Sequence, residues 1–381
     1  MGRGVSSPNL ISRLRAFRVV KGLSQQDLAQ QVGLTRQAIG SIESGQYIPN
    51  TAVALRLAQV LSCRVEELFV LADADSAITV DLAATSLAEA GRLAVVNVRG
   101  RWIGYPLSAG REIQEGFVSA NGIRDESGAG TRARLLGSPE DIERSALLLG
   151  CDPSLGILNY HLARWHSAGN LLWLSMASQP ALDALAQGEA HLVGSHLRDP
   201  ASGAYNVPQA RRALGRNGGL VVAFARWEQG FVVAPGNPHA IRAAADLARP
   251  GIRTINREPG AGSRALLDEL LAQADVPPEI VTGYDHSVSS HLAVARAVVS
   301  GAAHVGVGLE AVARAFGLDF VPLATVHFDL IIPRDQLAHP TLAMLLDHLQ
   351  SQALRADLRT LPGYDVDLLG TVIADLPATA A

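Results

Sequence analysis

Residues 24–45 read SQQDLAQQVGLTRQAIGSIESG, and their spacing predicts two short helices joined by a tight turn. Ser24 has the short side-chain oxygen of a helix N-cap, with Gln26 and Asp27 in the first turn after it. Leu28, Ala29 and Val32 give that helix one apolar face. Gly33 supplies the turn, Thr35 caps the following helix, and Ile39 with Ile42 form its buried stripe. Arg36, Gln37, Gly40 and Ser41 remain on the open face near the helix N-terminus. A recognition helix needs side chains there that reach base edges in the major groove. Two-helix corners with a glycine turn also occur in all-α proteins that have no such role, so the flanks decide.

Upstream, Leu10, Leu14 and Phe17 are spaced as the buried face of a first helix that bears Arg13, Arg15, Arg18 and Lys21. Downstream, Tyr47-Ile48-Pro49-Asn50 breaks the chain, residues 51–61 repeat Ala and Leu at helical spacing, and VEELF at 65–69 closes the bundle. With LSQQDLA at 23–29, TRQAI at 35–39, IESG at 42–45, Pro49 and ELF at 67–69, residues 9–70 resemble the Cro-like, xenobiotic-response-element family of helix-turn-helix regulators. The resemblance implies double-stranded DNA as a partner, with Gln25 at a phosphate and the face of Thr35, Arg36, Gln37 and Ser41 on the DNA. Gly40 departs from the family, where a longer polar side chain often reads a base. That leaves Arg36, Gln37 and Ser41 as the readers.

At 381 residues the chain has room for two or three domains, and 48% hydrophobic residues suffice for sizeable cores. No stretch reads as long and apolar enough to span a membrane, and the start of the sequence does not read as a signal peptide. Cys63 and Cys151 lie far apart, which argues for a reducing cytoplasm and against a disulfide framework. Neither has companions at metal-ligand spacing, and no metal site is expected. Net charge is −4, but residues 1–70 carry eight Lys/Arg against four Asp/Glu. A basic head on an acidic body keeps phosphate attraction local to residues 1–70.

The expected organisation is a DNA-binding head at 1–71, an Ala/Asp/Ser-rich linker at 72–91, a small β connector at 92–137 and an α/β domain at 138–375. In the connector, Leu93 to Val98, Trp102 to Tyr105, Gly116-Phe117-Val118-Ser119 and Arg132 to Leu136 are strand candidates broken by glycine, proline and asparagine. A small β subdomain or an elaborate connector would both fit. After Ser138-Pro139 the pattern becomes strand, turn, helix, repeated, which predicts a parallel sheet covered by helices. Apolar runs at 146–149, 171–174 and 191–194 are the first strands, and a second α/β run begins near Ile241. Strands at 220–225 and 231–234 bracket Arg226-Trp227-Glu228-Gln229-Gly230, and Phe320-Val321-Pro322 and Leu330-Ile331-Ile332 return the chain. Two α/β lobes joined by crossing strands are the layout of a bilobal ligand-binding protein.

In open α/β sheets ligands sit beyond the carboxyl ends of the strands, against the N-termini of the following helices. That rule nominates Asp152, Pro153 and Ser154 after the first strand, Ser175 after the second and Ser195 after the third. In the second lobe it nominates Arg257, Gly260, Gly262, Ser263 and Arg264, then Ser287, Ser289 and Ser290. Glycines admit a bound group close to the backbone, and serine hydroxyls with free helix N–H groups can surround an anion. Ser263 serves equally as a plain helix cap. Gly260-Ala261-Gly262 lacks the rest of a dinucleotide fingerprint or a Walker loop. Asp285-His286 beside Ser287 and Ser289 is too compressed for a hydrolase triad, and no GxSxG elbow appears, so no catalytic residue is expected. The scattered histidines, among them His166, read as satisfied or surface residues.

GCDPSLG at 150–156, GEAH at 188–191, VVAPGNP at 232–238, the segment from Asn256-Arg257 to Gly262-Ser263-Arg264, HLAVA at 291–295 and GLDFVPL at 317–323 carry a second resemblance. Residues 145–370 resemble the periplasmic-binding-protein-like domain found behind helix-turn-helix heads in bacterial regulators, whose relatives are described as molybdate-binding-like. The resemblance implies a bilobal fold of type II and an oxyanion effector such as molybdate or tungstate, with no other cofactor. Arg257 and Arg264 also fit a carboxylate or phosphate-bearing effector. The expectation is a multidomain chain, an all-α helix-turn-helix head, a small β-containing connector and an α/β bilobal domain. It would act as a cytoplasmic, homodimeric one-component transcriptional regulator with a small-molecule or oxyanion effector and no membrane partner. The rival readings are a regulator whose degenerate pocket serves dimerisation, and a DNA-tethered enzyme of molybdenum-cofactor metabolism.

Overall fold

In the computed structural model, which describes residues 9–72, 77–83, 91–107, 118–125, 131–165 and 170–378, the chain divides into two units, 1–77 and 78–381. The first unit runs β1 (Asn9–Ser12), α1 (Leu14–Val20), α2 (Gln25–Val32), α3 (Arg36–Glu43), α4 (Thr51–Leu61), α5 (Val65–Leu68) and β2 (Phe69–Ala72). Caps set its helix boundaries. Ser24 Oγ accepts from the Asp27 amide (3.1 Å) while Asp27 Oδ2 accepts from the Ser24 amide (2.9 Å), a reciprocal capping box. Gly33 ends α2 at φ 70°, in the left-handed region that glycine enters without a Cβ penalty. Thr35 and Asn50 cap α3 and α4 through the Ala38 and Val53 amides. Leu14, Leu28, Ile39, Ile42, Leu57 and Leu68 form the buried core of this unit.

Two details of the head differ from the expectation. Leu10 lies on β1 rather than on the first helix, and Phe69 opens β2, which pairs antiparallel with β1. An apolar residue four positions before Leu14 fits a helix face by spacing. Leu10 nevertheless reaches the same core from a strand, because Leu68, next to Phe69, accepts a hydrogen bond from the Arg13 amide and draws the two ends of the head together.

The second unit opens with a six-stranded sheet of β3 (Ala77–Thr79), β4 (Asp81–Leu82), β5 (Arg92–Val98), β6 (Arg101–Pro106), β7 (Gly122–Asp125) and β8 (Arg132–Leu135), in the order β3-β8-β7-β5-β6-β4. Its strands thus begin inside the stretch read as a linker. Residues 84–90, Gly116-Phe117 and His166 lie outside the described residues, and Val118-Ser119 is not in a strand.

Next come α6 (Pro139–Glu143), β9 (Ala146–Leu149), α7 (Leu155–Trp165), β10 (Leu171–Leu174), α8 (Ser178–Ala186), β11 (Leu192–Ser195), α9 (Val207–Leu214) and β12 (Gly219–Val233). The chain continues through β13 (Thr254–Arg257), α10 (Gly262–Gln273), β14 (Ser287–Val288), α11 (His291–Val299), β15 (Val305–Leu309), α12 (Glu310–Ala315) and β16 (Asp319–Pro333). It ends with α13 (Pro340–His348), α14 (Gln352–Leu358), β17 (Tyr364–Asp365) and β18 (Val372–Leu376).

One sheet runs β10-β9-β11-β16-β12-β15-β13-β14, with β17 and β18 also on β12. The outer strands of both lobes are parallel pairs, whereas β12 and β16 are antiparallel. The segments expected as two strands around 226–230 are a single strand, and so are those around 320–332. Each is 15 residues long, and together they cross from the β11 side to the β15 side. Arg226, which broke the apolar run, is ion-paired with Asp365 of β17, and Glu228 accepts a hydrogen bond from Thr325 of β16. Lobe one and the small sheet share a core in which Ala94, Val96, Val98 and Tyr105 meet Leu147, Leu149 and Leu185. Lobe two packs Phe231, Val233, Leu267 and Leu271 under β15. Among the described residues no helix is long and apolar enough to cross a membrane.

Candidate functional site: recognition helix and interlobe cleft

In the head, burial of Ile39 and Ile42 turns the opposite face of α3 outward, leaving Arg36 and Gln37 exposed in its first turn and Ser41 half-buried one turn on. Thr35 is occupied as the cap. Gln25, at the start of α2, donates from Nε2 to Glu43 Oε2 (2.8 Å), and Arg18 grips the same carboxylate (2.6 and 3.2 Å) while donating to the Leu23 carbonyl. Burial works to raise the Glu43 carboxyl, but the hydrogen bonds from Arg18 and Gln25 hold it below its ordinary value. This Arg18–Glu43–Gln25 network fixes the start of α2 against the end of α3 and was not foreseen. Gly40 is not sterically required, since a Cβ there would meet only Gln25 Nε2 at 3.8 Å.

The cleft is built where the carboxyl ends of β9, β11 and β13 meet the N-termini of α7, α10 and α11, beside the crossing strand β12. Of the nominated residues, Asp152, Ser154, Ser195, Arg257, Ser263 and Ser290 are buried. Asp152 Oδ1 accepts from the Ser154 amide (2.8 Å) and the Tyr364 hydroxyl (2.7 Å). Ser263 Oγ accepts from Gln229 Nε2 (2.6 Å), and Ser290 Oγ caps α11 through the Ala293 amide (3.1 Å). Arg257 is bound by Glu258 (2.8 and 3.0 Å) and by the Ser289 carbonyl (3.2 Å). Gly262 is backed by the His196 ring.

The others take different places. Pro153 and Ser175 are half-buried, and Ser287 is exposed. Arg264 lies over the Tyr284 ring at 4.7 Å and donates to the Arg257 carbonyl. Gly260, at φ 85°, accepts from the Gln179 amide (3.1 Å) and packs on Pro180, joining lobe two to lobe one. Arg198 and Glu269 form a second link between the lobes (3.0 Å), beside a cavity of about 240 Å³ lined by His196, Tyr205, Gln229 and Gly262.

The strand–helix rule nominated the loops that hold the residues at the centre, but not the cysteine and the two histidines themselves. Cys151, His196 and His291 are buried, and one ligand atom from each lies within 4.8 Å of the others. Neither cysteine has metal-ligand companions by spacing along the chain, but the fold brings His196 and His291 beside Cys151 from three separate strand–helix turns, which no spacing rule registers. Trp227 packs edge-on against both imidazoles, at 5.3 and 6.1 Å between ring centroids. Burial pushes the Cys151 thiol up to about 12 and the Asp152 carboxyl up to about 6. It pushes His196 down to about 3 and His291 well below its ordinary value, with the Arg257 charge adding to both shifts. Both imidazoles are thus neutral at pH 7. Among the described residues, neither ring nitrogen of His196 or His291 has a hydrogen-bond partner, nor do Ser195 Oγ and Gln229 Oε1. Gln229, a polar residue of the crossing strand β12, reaches the same centre and bonds Ser263 there.

Comparison with known proteins agrees with this architecture. The family model of a PBP superfamily domain matches residues 160–350, and that of a helix-turn-helix matches residues 14–68. The uncharacterized protein YvgK of Bacillus subtilis (strain 168) is 33% identical over 231 residues, which cover 61% of this chain and 74% of YvgK. An uncharacterized HTH-type transcriptional regulator of Archaeoglobus fulgidus is 39% identical over 62 residues, 16% of this chain and 89% of the regulator. Among solved structures, the sulfate-binding protein SubI of Mycobacterium tuberculosis H37Rv aligns with a TM-score of 0.42 at 20% identity, covering 57% of this chain and 91% of SubI. The chain belongs to the family of the PBP superfamily domain, which it carries together with an N-terminal Cro-type helix-turn-helix domain.

Proposed function

We propose that this protein is a cytoplasmic one-component transcriptional regulator whose bilobal domain closes on a small oxyanion of the molybdate or tungstate kind. The observation that carries the ligand reading is the set of buried polar atoms in the cleft that lack a partner among the described residues: Ser195 Oγ, Gln229 Oε1 and the ring nitrogens of His196 and His291. Each buried polar group left without a partner costs about 1–3 kcal/mol, so such a cluster persists where a ligand completes it. Hydroxyls, imidazole N–H groups and the N-termini of three helices suit an anion that needs many donors and little counter-charge. Arg257 adds positive potential, largely offset by Glu258.

The head would bind an operator as a dimer on a two-fold related site, read by Arg36, Gln37 and Ser41 with Gln25 on the backbone. The ligand would act by favouring closure, in which the Gly260–Gln179 and Arg198–Glu269 links form. It can change DNA affinity only by as much as it prefers that state. A thermal-shift series on the metal-stripped full chain, held in chelator, tests the ligand class with molybdate, tungstate, sulfate and small carboxylates. At about a hundred times its Kd a ligand of the folded state adds about 2.7 kcal/mol, a rise of several degrees. No rise with any oxyanion would remove the oxyanion reading, and a rise with a carboxylate alone would replace it.

A further inference from the structure

We propose that Cys151, His196 and His291 form a binding site for a divalent first-row transition-metal ion of the zinc class, one that clips the two lobes of the domain together. Cys151 and His196 follow β9 and β11 in lobe one, and His291 opens α11 in lobe two. Their nearest ligand atoms lie within 4.8 Å of one another. A tetrahedral ion bound at about 2.0–2.3 Å holds its ligand atoms roughly 3.3–3.8 Å apart, so the three side chains need to draw in by about an ångström. One thiolate and two imidazoles are the donor set that zinc and its neighbours prefer over magnesium or calcium. The fourth position falls to a ligand from the cavity that His196 lines.

The ordinary alternative is that these are core side chains, a cysteine acting as a small hydrophobe beside two satisfied histidines. His191 shows what a satisfied core histidine looks like in this fold. It too is buried, yet its Nδ1 accepts from the Leu147 amide (3.0 Å) and its Nε2 meets the Asn97 carbonyl (3.1 Å). His196 and His291 are as buried, and among the described residues all four of their ring nitrogens lack a partner. Two imidazoles left so would each waste a donor and an acceptor next to a thiol. An ion occupies a lone pair on each, and the remaining N–H of each ring is left for water or an oxyanion. The Arg257 guanidinium opposes a cation here, but it is paired with Glu258, and the Asp152 carboxyl lies next to Cys151 in the chain. Metal binding displaces the thiol proton to solvent, as it does wherever cysteine ligates.

This site shares the His196 and His291 rings with the oxyanion reading, but its test contains no oxyanion and so separates the two. The full chain, stripped with chelator and dialysed, is titrated with Co²⁺ and then with Zn²⁺. The expected result is thiolate-to-cobalt charge-transfer absorption in the near ultraviolet that saturates at one ion per chain and is displaced by Zn²⁺. Cys151→Ser should abolish the band and His291→Ala should weaken binding at least tenfold. Cys63→Ser, which changes the other cysteine of the chain, should leave the band intact. If Cys151→Ser fails to fold, the wild type and Cys63→Ser decide the matter between them, because the chain has two cysteines. Absence of the band from the wild type, its survival in Cys151→Ser, or its loss in Cys63→Ser would overturn the site. Metal binding without any oxyanion response would leave the site standing and remove the oxyanion.

Discussion

The imidazole of His196 rests directly on the backbone of Gly262, the first residue of α10. A Cβ added at Gly262 would lie 2.6 Å from both Cε1 and Nδ1 of the ring and 2.9 Å from the His196 carbonyl. Real Cβ atoms never approach a neighbour so closely, so Gly262→Ala must move either the ring or the helix. Overpacking of this kind costs about 1–3 kcal/mol. The expected outcome is a lowered melting midpoint together with weakened Co²⁺ binding, because the displaced ring is one of the three ligands. A double-mutant cycle with His196→Ala checks the cause: most of the loss should be relieved in the double variant, giving a coupling of roughly 0.5–3 kcal/mol. Additive losses would place the damage elsewhere.

Arg36 and Gln37 are exposed in the first turn of α3, while Ile39 and Ile42 hold that helix in the core. Replacing both with alanine should therefore spare the fold and remove operator-specific binding. A side chain that reads a base edge contributes about 1–3 kcal/mol of discrimination, and weak salt-dependent binding to any DNA should persist through the remaining basic residues. Fluorescence anisotropy with operator and scrambled duplexes measures both, alongside a melting curve. Specific binding that survived the double substitution would show that another face reads the DNA.

The head was legible because its signals are local. Ser24, Gly33 and Thr35 act within three or four residues of themselves, and the structure uses each where the spacing put it. The alternation of strands and helices after Ser138 was legible for the same reason. The crossing of the lobes was legible too, but the continuity of β12 was not, because Arg226 and Glu228 interrupt an apolar run. Their charges are met by Asp365 and Thr325, 139 and 97 residues away. Leu10 was misplaced since four-residue spacing to Leu14 satisfies a helix, and only the pairing of 9–12 with 69–72 makes it a strand. The centre of the cleft was least legible. Cys151, His196 and His291 meet through three loops of one sheet, and Gln229 joins Ser263 across 34 residues. Serine and glycine after strands mark where a ligand can lie, but the groups that would choose it are brought together only by the tertiary fold.

Asp329 offers a check on how the crossing strands carry buried charge. It sits on β16 opposite Ser195, is 4% exposed, and accepts from Asn206 Nδ2 at 2.7 Å. Asn206 is fixed in turn, since its Nδ2 also donates to the His327 carbonyl and its Oδ1 accepts from the Leu197 amide, at a backbone φ of 58°. Burial raises the Asp329 carboxyl to about 6, against the lowering effect of Asn206. An unfolded aspartate titrates near 3.9, so between about pH 4 and pH 6 the folded protein keeps a proton that the unfolded chain has released. Stability therefore falls as pH rises through that window, by about 3 kcal/mol in all, and the full cost is present above pH 6. Asp329→Asn keeps an acceptor for Asn206 and removes the ionisation. The difference in melting midpoint between variant and wild type should be smallest near pH 4, grow in the variant's favour to about pH 6, and level off beyond. A difference that does not change with pH would mean that Asp329 ionises as freely in the fold as in the unfolded chain.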